Sequence, residues 1–123
     1  MNMKLGVELQ FDAAHSLPRY EGKCKNIHGH TYTAEVIVSG KVDGETHFIL
    51  DYFILKKLLG EVIAELDHRY LNEILEYPTS ERIAQYIYRK MREKLKGYNV
   101  ELISIKLWEG KDKWVKIEKG DED

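Results

Sequence analysis

Periodicity constrains this chain before any motif does. Met3, Leu5, Val7, Leu9 and Phe11 alternate with Lys4, Gly6, Glu8, Gln10 and Asp12. Side chains of an extended chain point alternately to two faces, so this run is a strand with one apolar face. Tyr32, Ala34, Val36 and Val38 alternate with Thr31, Thr33 and Glu35, which makes Thr31 to Gly40 a second strand. The period then changes. Leu55, Leu58, Leu59, Val62, Ile63 and Leu66 recur at helical spacing behind Asp51 as N-cap, and predict a helix over residues 52 to 66. Gly60 weakens that helix without breaking its stripe. Ile83, Ala84, Ile87, Met91 and Leu95 form a second stripe. Thr79 caps it, Glu81 suits the positive end of its dipole, and Gly97 stops it. Ile103, Ile105, Leu107 and Glu109 then share one face of a third strand. Gly110-Lys111-Asp112 turns the chain, and Lys113 to Glu118 returns as a fourth. This order of periods predicts an α+β fold: a four-stranded, mainly antiparallel sheet with two helices inserted between its two hairpins and packed on one face.

The 123 residues suit one domain spanning 1–123. With 43% hydrophobic and 33% charged residues, the chain can fill one core and keep a solvated surface. A net charge of −2 with no basic block gives no support to a nucleic-acid partner. No apolar run approaches the length of a membrane span, and no apolar leader with a cleavage site opens the chain, so cytoplasm is the default location. A single cysteine excludes an internal disulfide framework. Ser16 to Asn26 reads as a loop, Val42 to Glu45 as a turn, and His47 to Leu50 as a short extended piece. Tyr70 to Tyr77 is a connection, and the tail Gly120 to Asp123 is frayed. The sheet face away from the helices is polar yet rich in strand formers. Joining sheet edges between subunits into a closed barrel would remove the exposed edges, so an oligomer is expected.

The chemistry concentrates in Cys24-Lys25-Asn26-Ile27-His28-Gly29-His30. In an extended chain, i and i+2 point to one side, so His28 and His30 can present two imidazoles to one point. His15, at the exit of the first strand, is the best third ligand. Three protein ligands with one open position describe a catalytic zinc site. The alternative for each histidine alone is a hydrogen-bonded or solvated ring. Cys24 can be a fourth ligand closing a structural site, or a base or nucleophile beside an open one, with its pKa lowered by nearby cations. Asp67-His68, at a helix end, can be a proton-moving pair or an ordinary C-terminal histidine favoured by the dipole. Glu109, in register with aliphatic residues beside Trp108, needs a partner. A ligand with adjacent N–H groups would supply a two-pronged one, and a lysine at the rim would supply a salt bridge.

These residues resemble the 6-pyruvoyl-tetrahydropterin synthase family, and within it the bacterial and archaeal 6-carboxytetrahydropterin synthases of deazapurine (queuosine and archaeosine) synthesis. The resemblance rests on Phe11-Asp12-Ala13-Ala14-His15, Cys24-x-x-x-His28-Gly29-His30 and Asp51-Tyr52-Phe53 after Phe48-Ile49-Leu50. It continues through Leu66-Asp67-His68-x-Tyr70-Leu71-Asn72, Pro78-Thr79-Ser80-Glu81 and Trp108-Glu109. It implies the tunnelling fold, in which three subunits join their sheets into a barrel and two trimers stack into a hexamer with active sites at subunit interfaces. It also implies Zn2+ held by His15, His28 and His30, Cys24 as the proton-abstracting base, and Asp67 with His68 as a relay. Glu109 would anchor a pterin ring, with Thr79 and Glu81 near it. The implied substrate is 7,8-dihydroneopterin triphosphate. The implied products are 6-carboxy-5,6,7,8-tetrahydropterin, acetaldehyde and triphosphate. Arg19, Lys23 and Lys25 are phosphate-binding candidates by charge. The short loop between Pro18 and Cys24 resembles the smaller microbial members, while residues 70 to 77 and those after Glu109 depart from the bacterial pattern.

Two further readings stand beside this lyase. One keeps the site but makes 6-pyruvoyl-tetrahydropterin by triphosphate elimination, without acetaldehyde release. The other is a non-catalytic, zinc-stabilised binding module with Cys24 as fourth ligand.

Overall fold

The computed structural model describes residues 1–122, apart from the side chain of Cys24. Strands β1 (Asn2–His15) and β2 (His28–Lys41) pair antiparallel along their whole length, from Asn2↔Lys41 to His15↔His28. Helices α1 (Tyr52–Ile63) and α2 (Ser80–Lys94) follow, and then β3 (Glu101–Glu109) and β4 (Lys113–Glu118). The sheet order is β1-β2-β3-β4 and every neighbouring pair is antiparallel. The predicted architecture of four strands with two intervening helices is therefore the observed one.

Alternation decides which side is filled. Phe11, Tyr32, Ala34, Val36, Val38, Leu102, Ile105 and Leu107 are buried on the sheet face that the helices cover. From α1 come Leu55, Leu59 and Val62, and from α2 come Ile83, Ile87 and Met91, all fully buried. Each such side chain contributes roughly 1.5–3 kcal/mol by leaving water. Asp51 accepts the Phe53 amide at 2.9 Å and Thr79 accepts the Arg82 amide at 3.2 Å, so both expected caps form. Gly97 carries φ 93, in the left-handed region that glycine tolerates, just beyond α2.

Four local expectations need correction. The second strand begins at His28 rather than Thr31, because pairing with β1 continues to His15 and takes the histidines into the ladder. The first helix ends at Ile63 rather than 66; tighter turns carry the chain to Asp67 through bonds such as Leu66 N–H to the Ile63 carbonyl, 2.9 Å. Residues 47 to 50 form no extended piece: His47 has φ 64 and residues 49 and 50 bend. Ile103 does not share the core face. A register shift opposite Ile37/Val38 sets Leu102 across from Val38 and turns Ile103 outwards, half-buried. Beyond that shift Ile105, Leu107 and Glu109 keep one face, as expected.

The uncovered face carries Glu8, Glu35, Lys106 and Lys116 in one cross-strand row. Trp108 pairs with Trp114 beside it, with the Lys106 ammonium 4.3 and 4.2 Å from their ring centres. Such a face is neither a core nor an ordinary solvated surface. No helix among the described residues is long and apolar enough to cross a membrane.

Candidate metal centre and its surroundings

The strand register assembles the centre. His15 lies opposite His28, and Ala13 opposite His30. Opposed residues of an antiparallel pair share a face, so all three histidines sit on the helix side at one end of the sheet. Their ring centroids are 4.6, 4.8 and 5.2 Å apart. His15 is 1% exposed, and its Nδ1–H donates to the Pro78 carbonyl at 2.7 Å. The Nδ1–H of His28 donates to the Asn26 carbonyl, also at 2.7 Å. A neutral ring that donates from Nδ1 keeps its lone pair on Nε2. Those two Nε2 atoms are 3.0 Å apart. Two bare lone pairs at that distance repel, and a shared cation turns the repulsion into attraction.

His30 supplies the third nitrogen. Its Nε2 is buried and has no hydrogen-bond partner among the described residues. Glu109 Oε1 lies 3.3 Å away, within ion-pair range but without hydrogen-bond alignment. Burial holds the His30 pKa below the usual imidazole range; Glu109 pulls it back up, and His15 and His28 lower it further. The ring is therefore neutral near pH 7 and its nitrogen is available. One ligand atom from each histidine lies within 4.8 Å of the others. Two imidazoles tied through Nδ1 to carbonyls, and a third whose Nε2 is orphaned, fit a borderline-soft divalent ion such as zinc, with a fourth position left open.

Glu109 stands beside this cluster at the end of β3. Ser80 Oγ donates to Glu109 Oε2 at 2.7 Å, which orients the carboxylate. Thr79 Oγ1 is engaged as the α2 cap, and Glu81 is exposed in the first turn. Tyr32, directly across from Glu109, is fully buried and its hydroxyl has no partner among the described residues. Burial, and secondarily Glu109, push that phenol well above its usual range. Sequence reasoning did not single out Ser80, Tyr32 or the two carbonyls. Ser80 had a signal, a hydroxyl at a helix start following Thr79; a backbone carbonyl has none, since every residue carries one.

Asp67 and His68 follow α1 and bond to β1 at Asp12. His68 has φ 58, a left-handed conformation rare for a non-glycine residue. Its amide donates to the Asp12 carbonyl at 2.6 Å, while the Asp12 amide donates to Asp67 Oδ1 at 3.0 Å. That amide is the main reason the Asp67 carboxyl lies below the usual range; a bond from His68 adds to it. Asp67 Oδ1 and His68 Nδ1 are 3.0 Å apart, and the His68 side chain is 78% exposed. His30 and His68 both line a cleft of about 520 Å³. Cys24 belongs to a short 3-10 turn, Lys23–Lys25, between β1 and β2, and its side chain lies outside the described residues. The start of that loop is clamped: the Asn72 side chain bonds both the amide and the carbonyl of Ser16 at 2.9 Å. Of the basic candidates, Arg19 stacks on Tyr77 at 4.4 Å, while Lys23 and Lys25 are exposed.

The sequence model of the 6-pyruvoyl tetrahydropterin synthase family matches residues 4–120. A protein of Archaeoglobus fulgidus, named a putative 6-carboxy-5,6,7,8-tetrahydropterin synthase, is 43% identical over 94% of this chain and 95% of its own length. The Synechocystis 6-carboxy-5,6,7,8-tetrahydropterin synthase is 44% identical over 70% of this chain and 72% of its own. A Pyrococcus furiosus dihydroneopterin monophosphate aldolase is 38% identical over 96% and 99%. The structure of Caenorhabditis elegans 6-pyruvoyl tetrahydropterin synthase superposes with a TM-score of 0.86 at 26% identity, covering 98% of this chain and 97% of that one. A family match across almost every residue, on the same sheet and helices, settles the kinship: the chain belongs to the 6-pyruvoyl tetrahydropterin synthase family and has its tunnelling-type α+β fold.

Proposed function

We propose that this protein converts 7,8-dihydroneopterin triphosphate to 6-carboxy-5,6,7,8-tetrahydropterin, releasing acetaldehyde and triphosphate. The observation that carries the reading is the convergence of three imidazoles beside a Ser80-oriented Glu109. His15, His28 and His30 would hold zinc, which when bound supplies Lewis acidity to side-chain oxygens and acidifies the C–H bonds next to them. Glu109 anchors the ring: a carboxylate oriented by Ser80 through Oε2 keeps acceptor lone pairs on both oxygens for the paired N–H groups of a pterin. Thr79 and Glu81 lie at the same helix start and assist by position. Cys24 takes a proton as thiolate, the reactive form of a cysteine. His68 returns protons, with Asp67 holding its Nδ1–H. The exposed His68 ring suits a site completed by another subunit, in a hexamer of two stacked trimers. A reducing cytoplasm keeps the Cys24 thiol available.

A second reading has its own support. The Pyrococcus relative named for aldolase action on a monophosphate ester matches this chain end to end. Both reactions cut a carbon–carbon bond of a dihydropterin side chain, and the ring anchor and metal centre serve either. Formation of 6-pyruvoyl-tetrahydropterin is the third outcome. The test is incubation with dihydroneopterin triphosphate and, separately, the monophosphate, with and without a chelator, followed by product identification. Chelator-sensitive acetaldehyde and 6-carboxytetrahydropterin from the triphosphate support the proposal. Turnover of the monophosphate alone, or a pyruvoyl product, contradicts it.

A further inference from the structure

A second concave feature lies on the outer side of α2, made of residues to which the metal centre assigns no role. Arg82 from the first turn of that helix, and Arg89 and Lys90 from about two turns further on, line a cleft of about 570 Å³, a volume typical of ligand sites. Arg19, from the loop after β1, forms part of the opposite wall with Tyr77. Four cations thus meet in one cleft with Glu76 as the one carboxylate of the lining, on a chain whose net charge is −2.

The partners of these cations separate them from ordinary surface pairs. Lys90 reaches Glu65 at 3.5 Å. The three guanidinium groups form no ion pair among the described residues, although Arg92 and Lys94 further along α2 each find a glutamate. Arg82 donates to the neutral Gln85 amide oxygen at 3.0 Å, and Arg19 lies over the Tyr77 ring at 4.4 Å. Both are thereby held in place with charge uncompensated and donors to spare. Like charges gathered without counter-charge repel, and an anion among them relieves that repulsion. Guanidinium forks bind phosphate oxygens in two-pronged fashion, which lysines do not.

We infer that this cleft is a binding site for an oligophosphate group, held by Arg19, Arg82 and Arg89. Tyr77 in its wall immediately precedes Pro78, whose carbonyl holds His15. The phosphates can therefore be the tail of an ester bound at the metal centre, or those of a separate oligophosphate or nucleotide. The inference rests on charge and geometry of the cleft and stands whatever reaction the centre performs.

The test titrates sodium tripolyphosphate into the zinc-loaded, full-length protein at low salt by calorimetry. Three proteins are measured: the unaltered chain, Arg82→Ala/Arg89→Ala, and Lys56→Ala/Lys57→Ala. The second pair removes the same charge from exposed positions on α1. Loss of two bidentate contacts raises Kd at least about tenfold. The α1 pair changes it less than about twofold, because distant exposed charges are screened. Binding of tripolyphosphate at the metal itself is common to all three and leaves that difference intact. Arg82→Lys/Arg89→Lys, which preserves charge and fold, falls between. A second arm assigns the source. If the cleft takes the substrate tail, the arginine variant raises KM for the triphosphate ester and tripolyphosphate competes with it. If it takes a separate oligophosphate, KM is unchanged and both bind together. Equal affinity in the unaltered and arginine-depleted proteins, or equal loss in the α1 control, overturns the inference.

Discussion

At His15 the imidazole is 1% exposed and tied through Nδ1 to a carbonyl 63 residues away in the sequence. At His68 the ring is 78% exposed and tied to the carboxylate of the preceding residue. The first arrangement needs the whole fold to exist; the second needs one tight turn. A ligand for a fixed ion must have its tautomer and direction set in advance, and burial with a long-range carbonyl does that. A group that passes protons must titrate and meet another molecule, and exposure with a local anchor permits that. The contrast supports the two roles proposed for one sheet end: rigid charge holding beside exposed proton exchange.

The largest expected effect breaks the rigid half. His28→Ala removes one of two opposed Nε2 atoms, and zinc affinity falls by more than about a hundredfold, beyond the range seen for outer-shell changes. Competition with a chromophoric chelator measures it, and retained affinity would show that the cluster is not the metal site. Next comes the proposed base. Cys24→Ala lowers turnover by roughly 10²- to 10⁴-fold while zinc content stays at the unaltered level; loss of zinc instead would make the sulfur a ligand. On the exposed half, Asp67→Asn lowers kcat by on the order of tenfold to a hundredfold and leaves metal affinity unchanged, since it misorients His68 without touching the cluster.

The same substitution carries a pH signature. The Asp67 carboxyl is depressed below its ordinary value of 3.8, chiefly by the Asp12 amide. A depressed carboxyl stabilises the fold above its unfolded pKa, and that contribution is lost as pH falls through the folded pKa. Asp67→Asn therefore flattens the acid limb of the thermal-unfolding profile below pH 3.8 and leaves the neutral limb parallel to the unaltered protein. The smallest effect concerns Tyr32. Its buried hydroxyl has no partner among the described residues, and an unmade bond of that kind costs roughly 1–3 kcal/mol. Tyr32→Phe is thus neutral or stabilising in the free protein, read by chemical denaturation; a loss of stability would mean that the hydroxyl is satisfied.

Much of this was written in the chain. The alternation through Phe11 and Tyr32 and the stripes through Leu59 and Ile87 gave the layers, because burial on one face leaves a period that sequence displays. His28 and His30 were legible as a pair for the same reason. His15 was named as the third member from its place at a strand exit, but that it faces His28 is a matter of register, which neither strand shows alone. Ile103 was misplaced because one extra residue reverses every face beyond it. The Ser80 bond to Glu109 joins a helix start to a strand end 29 residues apart, a contact that no local pattern records.

X-ray absorption at the zinc edge of the loaded protein tests the central claim most directly. The account predicts three imidazole nitrogens at about 2.0–2.1 Å, with a light oxygen or nitrogen atom filling the remaining position. A sulfur neighbour at about 2.3 Å would contradict it, because Cys24 would then close the site that the proposed chemistry needs open.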